Sequence, residues 1–306
     1  MKTIRTGKRK PLRWAIWHPY QGLWNWTLYR LLERLVPITV VNNALQRWLI
    51  MVDTALLWIR AVLERARVSG FSSQLWNPRL PKDMCVLYLD LGTHKEAREL
   101  QWVVGILARW GTRYRAVGFE AGHTFYEEAR HHTAHLPNVE LIHAALCYHI
   151  PEGNTVRLYL SPADGRASSL YRENFGVYEE VPAMRLSEWI KAQNVDLTRT
   201  ILLLRMNIEG AEVEVIQDLL DSGLANQVDG YFGLWDDVAK DDPERGKAFL
   251  NILKRTGIRP FTLNDRDFRS AWRMRCIAYA LETALLRGAQ RTRGAQCNAI
   301  SESLRG

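Results

Sequence analysis

From Cys85 onward, short runs of aliphatic and aromatic residues alternate with longer amphipathic ones, and nothing else in the chain constrains the fold as strongly. Two parallel strands must be joined by a crossover of a dozen or more residues, so strand-like runs separated by helix-like runs describe a parallel sheet covered by helices. Strands are expected over residues 85–90, 114–120, 139–143, 200–206 and 228–234. Helices are expected over 95–110, 124–135, 211–220 and 243–256. Residues 258–263 and 272–280 are expected to pair as a closing antiparallel hairpin, which gives a mostly parallel, doubly wound seven-stranded α/β sheet. The tail from Arg287, with Arg291 and Arg293 and little apolar content, is expected to be unstructured.

The first 80 residues are of another character. They hold 13 Lys+Arg against 3 Asp+Glu, a net of +10, while residues 81–306 hold 28 against 30. Seven of the twelve tryptophans lie there as well, so any anion-seeking behaviour belongs to this first quarter. A helix is expected over 44–67, with a narrow polar stripe at Gln46, Asp53, Arg60 and Arg67 and an otherwise apolar circumference. Such a helix has to bury two sides against protein or lie among lipid head groups. Docking on its own domain, a homo-oligomer, an anionic membrane surface and a nucleic-acid arm all fit it, the last least well. Residues 48–63 contain Asp53 and Arg60 and fall short of the roughly 18–20 clean apolar residues of a membrane span. No apolar core of signal-peptide type follows the basic run at the start, and Cys85, Cys147, Cys276 and Cys297 form no CxxC pair, so a reducing, cytoplasmic setting, with membrane association left open, is expected. Asn77-Pro78-Arg79-Leu80-Pro81 disfavours helix and divides a helical N-terminal region, 1–80, from an α/β domain, 81–286, and the tail, 287–306.

Chemistry-bearing residues collect where strands should end. Asp90-Leu91-Gly92-Thr93-His94 closes the first strand, and in open α/β sheets ligands bind outside the carboxyl ends of the strands. A full GxGxxG is absent, which demotes a dinucleotide site. Glu120 closes the second strand, where a carboxylate can accept from two ribose hydroxyls. Glycine after strand one and acid after strand two together describe a nucleoside site. The buried run Ile201–Met206 leads into Asn207-Ile208-Glu209-Gly210-Ala211-Glu212, a polar, glycine-containing turn opening a helix. Glu127, His131 and His135 share one helical face and could hold a metal, but a solvated helix explains them equally and no metal is expected. Trp235, followed by Asp236 and Asp237, could stack on a sugar face while the carboxylates bind its hydroxyls.

Asp90-Leu-Gly92, Val117-Gly-Phe119-Glu120, residues 138–146, Ser168-Ser169-Leu170, residues 184–189 and above all residues 206–212 resemble successive blocks of the FkbM-type methyltransferases, over about residues 84–280. The resemblance implies a class I fold, S-adenosylmethionine as cofactor and O-methylation of a saccharide, glycoconjugate or other secondary metabolite. It implies that Asp90, Gly92 and Thr93, with His94 adjoining, line the methionine and ribose end of the cofactor. Glu120 would meet the ribose and Ala144-Ala145 would lie beside the adenine. Three departures stand out: Glu96 where a second glycine is usual, Arg205 where lysine is common, and Asn207 where aspartate is frequent. Asn cannot accept a proton as a carboxylate can, so a general base would be Glu209, then Glu212, then His94. A catalytically inactive interaction module is the main alternative, and a nucleic-acid methyltransferase a weaker one.

Overall fold

The computed structural model describes residues 39–69, 84–162, 167–233, 235, 238–239, 242–263 and 271–303. Among these the chain runs α1 (Thr39–Ser69), β1 (Cys85–Leu91), α2 (Arg98–Arg109), β2 (Tyr114–Glu120), α3 (His123–Thr133), β3 (Val139–His143), β4 (Ala145–Leu146), β5 (Thr155–Tyr159), β6 (Tyr178–Met184), α4 (Leu186–Ala192), β7 (Thr200–Met206), α5 (Glu212–Asp221), β8 (Val228–Gly233), α6 (Pro243–Thr256) and α7 (Ala271–Ser303).

Five strands form a parallel sheet in the order β3-β2-β1-β7-β8. β1 and β7 are its centre, and β7 is buried along its whole length, as a strand covered on both faces must be. A second, three-stranded sheet, β4-β6-β5, is built from residues where no strand is expected from local pattern. β5 is short and largely polar, so it lacks the apolar run by which the central strands are recognised.

Among the described residues the central sheet has five strands rather than seven, and no closing hairpin forms. Residues 271–303 are one helix, because Ile277, Leu281, Ala284, Leu285 and Ala289 recur at i, i+4, i+7, i+8 and i+12 and are buried together, a helical and not an alternating period. Two glycines bring that helix onto the sheet. A Cβ on Gly288 would lie 2.6 Å from the Ile201 side chain, and one on Gly230 would lie 2.6 Å from the Ala284 Cβ. The stretch from Arg287, expected to be unstructured, is the second half of α7. Arg291 grips Asp229 through Nε–Oδ1 at 2.8 Å and Nη2–Oδ2 at 2.9 Å and donates to the carbonyls of Leu197 and Thr200.

α1 packs beside α7 through Thr54, Leu57, Ala61 and Arg65, all buried, with an Arg65–Glu282 ion pair at 3.3 Å. Among the described residues it buries one side. Trp48, Met51, Leu56, Ile59 and Leu63 remain exposed on the other. The side chains of Gln46 and Asp53, and the Asn77–Pro81 boundary, lie outside the described residues. Among the described residues no helix is long and apolar enough to cross a membrane.

Candidate active site

Strand order reverses between β1 and β7: β2 and β3 continue to one side, β8 to the other. A crevice at the carboxyl ends of such neighbours is where an open sheet binds its ligands. Here the two strand ends come together closely. The Asn207 N–H donates to the Leu91 carbonyl at 3.0 Å, and Gly92, at φ +79°, packs directly on the Asn207 carbonyl. His94 and Ala97 also have positive φ, 61° and 46°, so the chain after β1 winds tightly. Non-glycine residues hold that conformation only where the surroundings impose it.

Glu120 is the imposing group. Its Oε2 accepts the His94 N–H at 2.7 Å and its Oε1 the Gly122 N–H at 3.0 Å, joining the loops after β1 and β2. Burial raises its pKa from the ordinary carboxyl value, the backbone N–H groups of Gly122, His94 and Ala121 work against that, and Asp90 adds to the rise. Each oxygen keeps a second lone pair for a ligand hydroxyl. The Ala144 N–H donates to the Glu120 carbonyl at 3.1 Å, which sets small Ala144 and Ala145 beside it.

Asp90 and Thr93 lie beneath the crevice rather than on its wall. Both are fully buried, and the Thr93 hydroxyl is spent on the Asp90 carbonyl at 3.0 Å. Asp90 instead joins a floor around Arg205, whose Nη1 donates to Asp90 Oδ1 at 3.1 Å and to the Gly92 carbonyl at 2.7 Å, while its Nη2 donates to Glu99 at 3.2 Å. Two carboxylates share one guanidinium. Burial, countered by Arg205 and reinforced by Glu99, pushes Asp90 up to about 6. The second Asp90 oxygen and the Arg205 Nε are buried without a hydrogen-bond partner among the described residues.

The turn after β7 carries Glu209 at φ 52° and Gly210 at φ 106°. Glu212 is fully buried and turned back on it, accepting from Ile208 N at 2.8 Å and Gly210 N at 2.9 Å. The second candidate base is thus occupied in shaping the backbone. Glu209 is partly exposed and pairs with Arg172 at 3.1 Å, while its carbonyl accepts the Ser169 hydroxyl at 2.7 Å. The Asn207 side chain, half-buried at the strand end, has no hydrogen-bond partner among the described residues.

Trp235 is no stacking platform. It is 4% exposed, lies over Phe249 and donates its indole N–H to the Met206 carbonyl at 3.1 Å, so it is a core residue that ties the ends of β7 and β8. Asp236 and Asp237 lie outside the described residues. The His94 ring meets Phe125 edge-on at 5.0 Å, and Glu127 of the histidine-bearing helix pairs with Arg130 at 2.7 Å. Among the described residues no group of three or more His, Cys, Asp or Glu is placed to hold a metal.

Sequence reasoning missed Ser169, Tyr171, Arg172 and Arg245. Tyr171 lies against Gly210, donates its hydroxyl to Glu214 and lies 4.2 Å beneath the Arg245 guanidinium. The Ser168-Ser169-Leu170 block was a usable signal. Its role depends on a loop between β5 and β6 that meets the turn after β7 only in the folded chain.

Residues 90–231 match the family model described as the methyltransferase FkbM domain. That span opens on Asp90 and closes on Tyr231, so it takes in the floor, both loops and the Glu209 turn. No curated protein and no solved structure matches the chain.

Proposed function

With residues 90–231 a methyltransferase FkbM domain, we propose that this protein transfers a methyl group from S-adenosylmethionine to a hydroxyl of a saccharide or glycoconjugate. The observation that carries the reading is the junction of the loops after β1 and β2 beside the strand-order reversal, where Glu120 accepts the His94 and Gly122 N–H groups next to the half-buried Gly92. The residues fit the group: a nucleoside needs a glycine at the end of the first strand and a carboxylate for its ribose, and Gly92 and Glu120 stand at those two strand ends.

When bound, the sulfonium supplies an electrophilic methyl carbon. Glu120 accepts the ribose hydroxyls, Ala144 and Ala145 leave room for the base, and Arg205 fixes the loop through the Gly92 carbonyl. Glu209, oriented by Arg172, takes the proton of the acceptor hydroxyl, and the Asn207 amide positions that hydroxyl without taking the proton. Holding the reactants near attack distance supplies much of the remaining acceleration.

Titration calorimetry with S-adenosylhomocysteine tests cofactor binding, with Glu120→Ala expected to weaken it by roughly tenfold or more, the worth of a hydrogen bond to a charged group. Methyl transfer to a panel of glycans, followed by mass spectrometry, tests the acceptor class. Asn207, an amide where the family often has a carboxylate, favours a second reading as a non-catalytic module; cofactor heat with no transfer to any glycan would support it.

A further inference from the structure

Away from the β1–β7 crevice, a cavity of about 400 Å³ opens beside the edge strand β8, between α1, α7 and the end of α6. Arg60, Arg67, Arg259 and Arg287 line it, with Glu64 the only carboxylate on its wall among the described residues. Three of these guanidiniums converge on that one carboxylate: Arg67 at 3.1 Å, Arg287 at 3.4 Å and Arg259 at 3.8 Å. The fourth, Arg60, donates to the Pro260 carbonyl at 2.7 Å and lies over the Phe261 ring. Burial lowers its pKa from the ordinary arginine value, Glu64 works against that, and Arg259 lowers it further. Four cations and one anion leave the wall with three positive charges in excess, the environment that binds a phosphate.

The same helix carries the exposed apolar stripe. Ile59 and Leu63 are neighbours in sequence to Arg60 and Glu64, so apolar stripe and arginine wall lie side by side along α1. We propose that this face seats the protein on a bilayer of anionic phospholipid, a head-group phosphate entering the arginine cavity while Trp48, Met51, Leu56, Ile59 and Leu63 lie in the interface. Charge favours this occupant over a second copy of the chain, which would bring two clusters of excess positive charge together. Residues 1–38 add 8 Lys+Arg against 1 Asp+Glu just before α1, which favours the same surface. The inference does not rest on methyl transfer, and its test needs no cofactor.

The full chain is floated with vesicles of phosphatidylcholine alone and of phosphatidylcholine doped with phosphatidylglycerol. Binding only to the doped vesicles, falling with salt, is expected. Arg259 and Arg287 are half-exposed, so Arg259→Gln with Arg287→Gln folds and weakens binding roughly 25-fold, about fivefold per arginine. Ile59→Asp, at another exposed position, removes it, with circular dichroism confirming the fold. Equal binding to neutral vesicles overturns the proposal, as does binding unaffected by the arginine pair. Saturation by inorganic pyrophosphate without vesicle binding overturns the lipid source, and a dimer in solution that Ile59→Asp dissolves assigns the face to self-association instead.

Discussion

A Cβ placed on Gly92 would lie 2.2 Å from the carbonyl oxygen of Asn207. The contact joins the first residue after β1 to the first after β7, across 115 positions of sequence, at the point where strand order reverses. Gly92→Ala meets both this overlap and a φ of +79°, which costs a residue with a side chain about 1–2 kcal/mol by itself. The variant is expected to lose at least about 2 kcal/mol in urea unfolding and to give no calorimetric heat with S-adenosylhomocysteine.

Arg205 holds two buried carboxylates, so its removal and theirs are unequal. Arg205→Met leaves Asp90 and Glu99 without their shared cation and is expected to cost about 3–5 kcal/mol. Asp90→Asn leaves a balanced Arg205–Glu99 pair and should cost about 1 kcal/mol. Comparable losses in chemical denaturation would refute the shared-cation account.

The same floor has a pH signature. Asp90 rises from its ordinary value to about 6 on folding, so between roughly pH 4 and 6 the folded state holds more protons than the unfolded. Its favourable contribution is complete below the unfolded pKa and is lost as pH rises through 6. Stability of the native protein relative to Asp90→Asn should therefore fall by about 3 kcal/mol across that window and be level above it. A difference that grows with pH would contradict the assignment.

Glu209 and Glu212 stand three residues apart and should separate cleanly. Glu209→Gln is expected to lower kcat by about 10²–10⁴ with unchanged cofactor affinity and thermal midpoint. Glu212→Gln replaces one of two oxygens that accept turn N–H groups and should cost about 1–3 kcal/mol of stability. Steady-state kinetics beside thermal melts would expose a reversal of these roles.

Arg291 fastens α7 to β8 and to the residues leading into β7. Arg291→Met strands the buried Asp229 carboxylate and is expected to cost about 3 kcal/mol or more. Truncation before Arg287 should then leave little cooperative melting by circular dichroism.

What the sequence determined by itself was the layered core. Tyr114–Glu120, Val139–His143, Thr200–Met206 and Pro243–Thr256 fall where periodicity places them, because burial on one or both faces writes a local pattern. The strand-end positions of Gly92, Glu120 and Asn207 followed from the same pattern. Only tertiary structure decided the rest. Residues 272–280 and the stretch from Arg287, expected as strand and tail, are one helix, and where that helix sits is decided by its close approach to the sheet at Gly230 and Gly288. Asp90 faces Arg205, Glu212 faces its own turn, Trp235 faces the core and Arg172 reaches Glu209. Each of these orientations is set by partners from 2 to 115 residues away, and side-chain direction is fixed by packing that no local period records.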